Sequence, residues 1–221
     1  IMIKKISKTK ILLIFVPIIL FIFLVIAIEA GISVNFETWA YNESIEHMSD
    51  FLTNVMKVIT KLGDPILVVI LCFSLLFFKK TRIKVGLPLS ISVIASETLN
   101  LILKEIFARQ RPTILQLVNE SSYSFPSGHA MVNATIYTMF GILILKYIKD
   151  KKLKILLLIP CIVMPFLIAF TRVYLGVHYI TDVMGGLLLG FLVPIVMFEI
   201  FKLKNRVKKD KNKNNNEIKK N

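Results

Sequence analysis

The sequence predicts an all-α, polytopic membrane protein with six transmembrane helices and one further amphipathic helix at the outer interface. Three observations predict it. Hydrophobic residues make up 55% of the chain, and its mean hydropathy is +0.70. The apolar residues gather in six blocks, about 11–28, 62–78, 85–106, 127–148, 153–171 and 181–201, each close to the roughly 20 residues that a bilayer demands. The charges, net +14 over 221 residues, fall between those blocks, whereas a soluble domain spreads polar residues over its whole surface. No strand signal is present, and in lipid a helix satisfies its own backbone groups.

Lys4, Lys5, Lys8 and Lys10 precede the first block, an arrangement shared with secretory signals. No small-residue cleavage pattern follows, and the run from Ile11 to Ile28 is long enough to cross, so an uncleaved first span is expected. The segment from Glu29 to Gly63 carries Glu37, Glu43, Glu46 and Asp50. Within it Ile45, Met48, Leu52, Val55, Ile59 and Leu62 recur at steps of three and four, one apolar stripe. This predicts an amphipathic helix lying at the interface; a short soluble helix has the same pattern. Pro17, Pro88, Pro160, Pro165 and Pro194 fall within the blocks, where neighbouring helices tolerate kinks.

Lys and Arg mark the cytoplasmic side of membrane proteins. They concentrate at the N-terminus, from Lys79 to Lys84, from Lys146 to Lys154 and from Lys202 onward. Six crossings place all four segments on one face, with both termini cytoplasmic. Residues 1–201 therefore read as one membrane domain, and 202–221, rich in Lys and Asn, as a disordered basic cytoplasmic tail that anionic lipid can attract. Net basicity also suits nucleic acid, but these lysines cap apolar blocks and no aromatic-basic interleaving suits base stacking; no nucleic-acid partner is expected. Cys72 and Cys161 lie inside apolar blocks and read as small buried hydrophobes.

Lys104, Arg109, Arg111 and Arg172 break the charge bias, since all four fall at outer helix ends. Either they snorkel to lipid headgroups or something anionic compensates them. Lys104 and Arg111 are seven residues apart, about two helical turns, so both point from one face if the third span runs on to Arg111, with Pro112 ending it. Arg111 would be a two-pronged donor and Lys104 a compact charge. Pro126 and Ser127 look like a helix start, which offers free N–H groups and a positive dipole end to an anion. Alone they fit a plain cap; Gly128 permits close backbone approach and His129 can shuttle a proton. His178 and Asp182 lie four apart, so the carboxylate can hold one ring nitrogen and leave the other free to attack; a satisfied interfacial pair reads the same way. His47 reads as a solvated residue of the amphipathic helix. The histidines lack the ligand spacing of a zinc site, and neither metal nor cofactor is expected.

Taken together, these residues resemble the type-2 phosphatidic acid phosphatases, which share a three-part signature with glucose-6-phosphatase and the vanadium haloperoxidases. Lys104 to Arg111-Pro112 matches the first part, Pro126-Ser127-Gly128-His129 the second, and Arg172, His178 and Asp182 the third, with Thr171 where serine is usual. Gly63-Asp64-Pro65 also looks like the family. The resemblance implies a lipid phosphatase in the bilayer. In it His178 attacks phosphorus to give a phosphohistidine, Asp182 fixes its tautomer, and His129 protonates the leaving oxygen. Lys104, Arg111, Ser127, Gly128 and Arg172 would hold the phosphate oxygens. A site at the outer interface suits a lipid substrate. Bacterial members of this size act on undecaprenyl diphosphate, ranked first here, or on phosphatidylglycerol phosphate, ranked second. Phosphatidate, a phosphotransferase reaction and a non-catalytic transporter or scaffold of the same fold are the alternatives. Gly186 and Gly190 form a small-xxx-small pair that admits a close helix from the same chain or a second copy.

Overall fold

The structure, a computed structural model, describes residues 8–218, with side chains to Leu203; Lys4, Lys5 and the side chains of the basic tail lie outside the described residues. The helices are α1 (Lys8–Glu29), α2 (Val34–Glu46), α3 (Asp50–Lys61), α4 (Pro65–Phe77), the short turn α5 (Lys79–Thr81), a π-helical turn (Arg82–Gly86), α6 (Leu87–Phe107), α7 (Gly128–Tyr147), α8 (Lys151–Tyr174) and α9 (Ile180–Ile218). Six stretches are long and apolar enough to cross a membrane, with α3 and α4 together supplying the second, Asp50–Phe77. There is no strand among the described residues.

The acidic segment forms two helices where one was expected. Ser49 takes an extended conformation and accepts the Leu52 N–H at 3.2 Å, capping α3, and the chain turns between His47 and Ser49. An N-cap of this kind satisfies a free donor at the price of continuity with the preceding helix. The apolar face divides accordingly. Met56 and Thr60 are the buried residues of α3, while Ile45 and Leu62 of the expected stripe stay exposed. Tyr174 of α8 fixes this junction, its hydroxyl lying 3.1 Å from the Thr53 hydroxyl. His47, just beyond the end of α2, is exposed.

Helix α7 is central, packed against α6, α8 and α9. Gly186 and Gly190 explain how α9 comes so near. A methyl group at Gly186 would stand 3.0 Å from Ala130 Cβ and 3.2 Å from Met131 N, and one at Gly190 would press on the Met131 carbonyl and on Ala134. The partner of the small-xxx-small pair is thus α7 of the same chain. At the far end of the bundle the basic segments meet. Lys10 and Lys202 both bond Glu199, at 2.8 and 2.9 Å, while Lys146 and Lys202 lie over the Phe198 ring and Lys84 over Tyr147. Beyond Phe201 the backbone of α9 runs on helically to Ile218, through the segment that composition predicts as disordered. Extending a helix that is already nucleated costs far less than starting one.

Candidate active site

The third span does not reach Arg111. Helix α6 ends at Phe107, and Ala108 takes the left-handed conformation (φ 43°), its N–H returning to the Lys104 carbonyl at 2.9 Å. Lys104 therefore sits in the last helical turn, buried, and donates to the Tyr123 carbonyl. Arg111 lies in the loop beyond. The two still converge because that loop folds back over the helix end. Arg111 Nε donates to the Ser122 carbonyl at 2.6 Å, and Nη1 donates to the Val177 carbonyl at 2.8 Å and to His178 Nε2 at 3.1 Å. A guanidinium is a donor only, so Nε2 must carry the lone pair and Nδ1 the hydrogen. Burial lowers the proton affinity of Arg111, with Glu120 and Asp182 pulling the other way.

Nδ1 of His178 lies 3.5 Å from Asp182 Oδ2 and 3.4 Å from the Ser124 hydroxyl, which itself donates to that carboxylate oxygen. Tyr179 N–H also donates to Oδ2, at 2.8 Å. Asp182, at the third position of α9, thus accepts from the residue preceding the helix, as the acid of a capping box does. His178 is not on the helix but just before it, and a sharp turn at Gly176 (φ +69°) delivers it; a side chain there would strike the Leu115 carbonyl. Burial is the largest influence on His178 and drives its pKa down to about 4. Arg111 and Arg172 act in the same direction, against Asp182.

Ser127 precedes α7 in an extended conformation, its N–H bonded to the Asp182 carbonyl at 3.0 Å. Its hydroxyl is buried and makes no hydrogen bond among the described residues. Gly128 opens α7 where a side chain would stand 3.0 Å from Asn100 Oδ1. Arg172 on α8 is buried, donating to the Thr60 hydroxyl at 2.9 Å and to Glu120, while its Nε has no partner among the described residues. Glu120 Oε2 is also 3.7 Å from Arg111. This carboxylate bridges the two guanidiniums, which outweigh the effect of burial and hold it below the usual carboxylate range. A buried hydroxyl and a buried guanidinium N–H without partners are costly. They are the donor types that an oxyanion satisfies.

His129 and His178 line one cavity of about 250 Å³ together with Lys104, Arg111, Glu120 and Gly128. Arg172 and Asp182 stand behind it, touching its walls through Glu120 and His178. The other side of this cavity is aliphatic, formed by Val68 and Val69 of α4 and Val93 and Leu101 of α6. Gly63 opens the same cavity, and Asp64 caps α4 by accepting the Ile66 N–H at 2.8 Å. A larger cavity of about 470 Å³ lies among α2, α8 and α9; its lining is nearly all apolar and holds no residue of the signature.

Sequence reasoning passed over Glu37, Ser124 and Glu120, and noted Arg109 only as a misplaced cation. Arg109, Ser124 and Glu37 belong to the hydrogen-bonded surround of Asp182, and Glu120 bridges Arg111 and Arg172. Ser124 and Glu120 have no periodic signature, and Glu37 is only one of four acids in the segment from Glu29 to Gly63.

Residues 85–206 match the PAP2 superfamily, and the chain belongs to that family. It is a multi-span membrane phosphatase acting on lipid phosphates. Among its relatives, phosphatidylglycerophosphatase B of Bacillus subtilis is 39% identical over 148 residues, covering 65% of this chain and 72% of that one. An undecaprenyl-diphosphatase of Sulfolobus acidocaldarius is 32% identical over 155 residues, 67% of this chain and 70% of that one. The crystal structure of the transmembrane PAP2-type phosphatidylglycerolphosphate phosphatase from Bacillus subtilis superimposes with a TM-score of 0.77 at 32% identity, over 86% of this chain and 96% of that one. Aquifex aeolicus LpxE gives 0.55 at 27% identity, over 72% and 92%.

Proposed function

We propose that this phosphatase removes phosphate from a glycerophospholipid phosphate, of the phosphatidylglycerol phosphate kind, at the extracytoplasmic face and without a metal, through a phosphohistidine on His178. The observation that carries this reading is the two-sided cavity. One end is cationic and holds both histidines, and the other is hydrocarbon from α4 and α6. An amphiphile whose phosphate meets Lys104 and Arg111 leaves its tail against the valines. The preference for a glycerophospholipid over undecaprenyl diphosphate, the reverse of the order in which the family resemblance ranks them, rests on the 39% identity and 96% structural coverage of the Bacillus relatives. The Sulfolobus relative keeps the polyprenyl diphosphate as the second reading.

Nε2 of His178 forms the bond to phosphorus as the lipid oxygen leaves in line with it, and protonated His129 gives that oxygen its proton. His129, now neutral, takes a proton from the water that attacks the phosphohistidine, releasing phosphate and restoring both rings. Asp182 and Ser124 hold the ring hydrogen on Nδ1 and stabilise the charge that develops on it. Lys104, Arg111 and the Gly128 N–H at the start of α7 face the charge spread over the equatorial oxygens, and Arg172 and the Ser127 hydroxyl add to it from behind the cavity wall. Arg111 first yields one of its present bonds, and the phosphate takes up the share of Arg172 that Glu120 now holds. Fixed side-chain cations supply the charge for which many phosphatases use metal ions. A lipid panel with purified protein in detergent tests the reading. Phosphate release should be fastest from phosphatidylglycerol phosphate and unchanged by a chelator. Faster release from undecaprenyl diphosphate would exchange the two substrates, and loss of activity on chelation would end the metal-free mechanism.

A further inference from the structure

Arg109 does not line the cavity, yet it is hydrogen-bonded to two carboxylates. Nη1 donates to Asp182 Oδ1 at 2.6 Å and to the Thr181 hydroxyl at 2.9 Å; Nη2 donates to both oxygens of Glu37, each at 2.8 Å. The Thr181 hydroxyl in turn donates to Glu37, and the Tyr179 ring lies 4.2 Å from the guanidinium carbon. Glu37 and Asp182 are both buried. One guanidinium is therefore divided between two carboxylates. One is the partner of His178, and the other stands on α2, outside the signature and outside the bundle of spans.

We propose that Arg109 is a positioning residue for the His178–Asp182 pair and that Glu37 sets how strongly it acts, so that α2 tunes the proton affinity of the nucleophile. A buried carboxylate bonded by Ser124, Tyr179 N–H and Arg109 has little freedom to turn, and its direction fixes the imidazole. The charge of Arg109 weakens the pull of Asp182 on the imidazolium, and Glu37 weakens Arg109. The other charged groups around the pair are Arg111 beside Nε2, Arg172 on α8, Lys104 on α6, and Glu120 and His129 across the cavity. None of these bonds Arg109 or Glu37, so a change in either acts on His178 through Asp182.

The two charges predict shifts of opposite sign, which a merely structural role does not. The inference rests on His178 being the nucleophile, but one measurement is independent of turnover: the imidazole titration of His178 by NMR in histidine-labelled full-length protein, assigned through His47→Gln and His129→Gln. Arg109→Gln should raise the His178 midpoint by about half a unit or more, Glu37→Gln should lower it, and the double variant should return toward wild type. In kinetics with dioctanoyl phosphatidylglycerol phosphate in micelles, Arg109→Gln should cut kcat about tenfold or more while KM stays within about twofold. The acid limb of its kcat profile should move to higher pH. Arg109→Lys, which keeps the charge but not the fork, should keep the limb in place while kcat still falls. Shifts of the same sign, or none, in variants whose unfolding temperature matches wild type would overturn the inference. Full activity in His178→Ala would instead remove the functional reading beneath it while leaving the titration result intact.

Discussion

Arg111 Nη1 lies 3.1 Å from Nε2 of His178, with the imidazole hydrogen on the opposite nitrogen, 3.5 Å from Asp182. The lone pair that would attack phosphorus therefore points at the cation that would bind the phosphate. The same guanidinium ties the Ser122 loop to the Val177 carbonyl. Arg111→Lys keeps the charge but cannot span these acceptors. It should lower kcat/KM by about a hundredfold; a loss under about threefold in purified protein would show that charge alone is needed.

The proposed mechanism gives the two histidines separable roles. His178→Ala should reduce phosphate release on the order of ten-thousandfold and leave no acid-labile phosphoenzyme. His129→Ala should be nearly as slow with a lipid phosphate. With nitrophenyl phosphate, whose leaving group needs no proton, it should instead accumulate the phosphohistidine, because the water of the second step lacks its base. Phosphoamidate detection after rapid quench checks both outcomes.

The pH dependence follows from burial of His178. In the proposed mechanism its neutral form is the nucleophile, and its pKa is held down at about 4, below the free-imidazole value of about 6.5. Activity that depends on the neutral ring is therefore retained as pH falls through 6.5 and is lost only on approach to 4. The acid limb of kcat/KM, corrected for ionisation of the substrate phosphate, should lie well below 6. A limb at the ordinary imidazole value would contradict the buried setting of the ring.

Close packing of α9 on α7 makes Gly190 a stability determinant away from the chemistry. Gly190→Val would push a branched side chain into the Met131 carbonyl and Ala134. It should cost about 2 kcal/mol or more, read as a lowered unfolding midpoint in detergent. Gly141 has only ordinary contacts at 3.8 Å and beyond, and Gly141→Ala should be near neutral.

Orientation is open to chemical labelling. In a Cys72→Ala, Cys161→Ala background, Ile114→Cys in the exposed loop near the site should react with a membrane-impermeant maleimide added to intact cells. Lys80→Cys in the opposite, basic turn should react only after lysis. The reverse pattern would place the site on the cytoplasmic side.

Much of this protein was legible in order along the chain. Six apolar blocks gave the spans because bilayer thickness fixes their length, and the three signature segments gave the histidines, the carboxylate and the cations because their spacing is local. The break at Ser49 was missed because the apolar stripe continues across it, while a cap is decided by one hydroxyl and its neighbours.

Distances between segments belong to tertiary structure alone. Lys104 and Arg111 meet through a loop that folds back from a left-handed Ala108, not along one helix. Glu37 is one of four acids along its segment, and only the packing of α2 onto α8 and α9 buries it against Arg109. The division of one guanidinium between residues 73 and 72 positions away cannot be read from periodicity, since burial of a charge depends on which distant partner the fold brings to neutralise it.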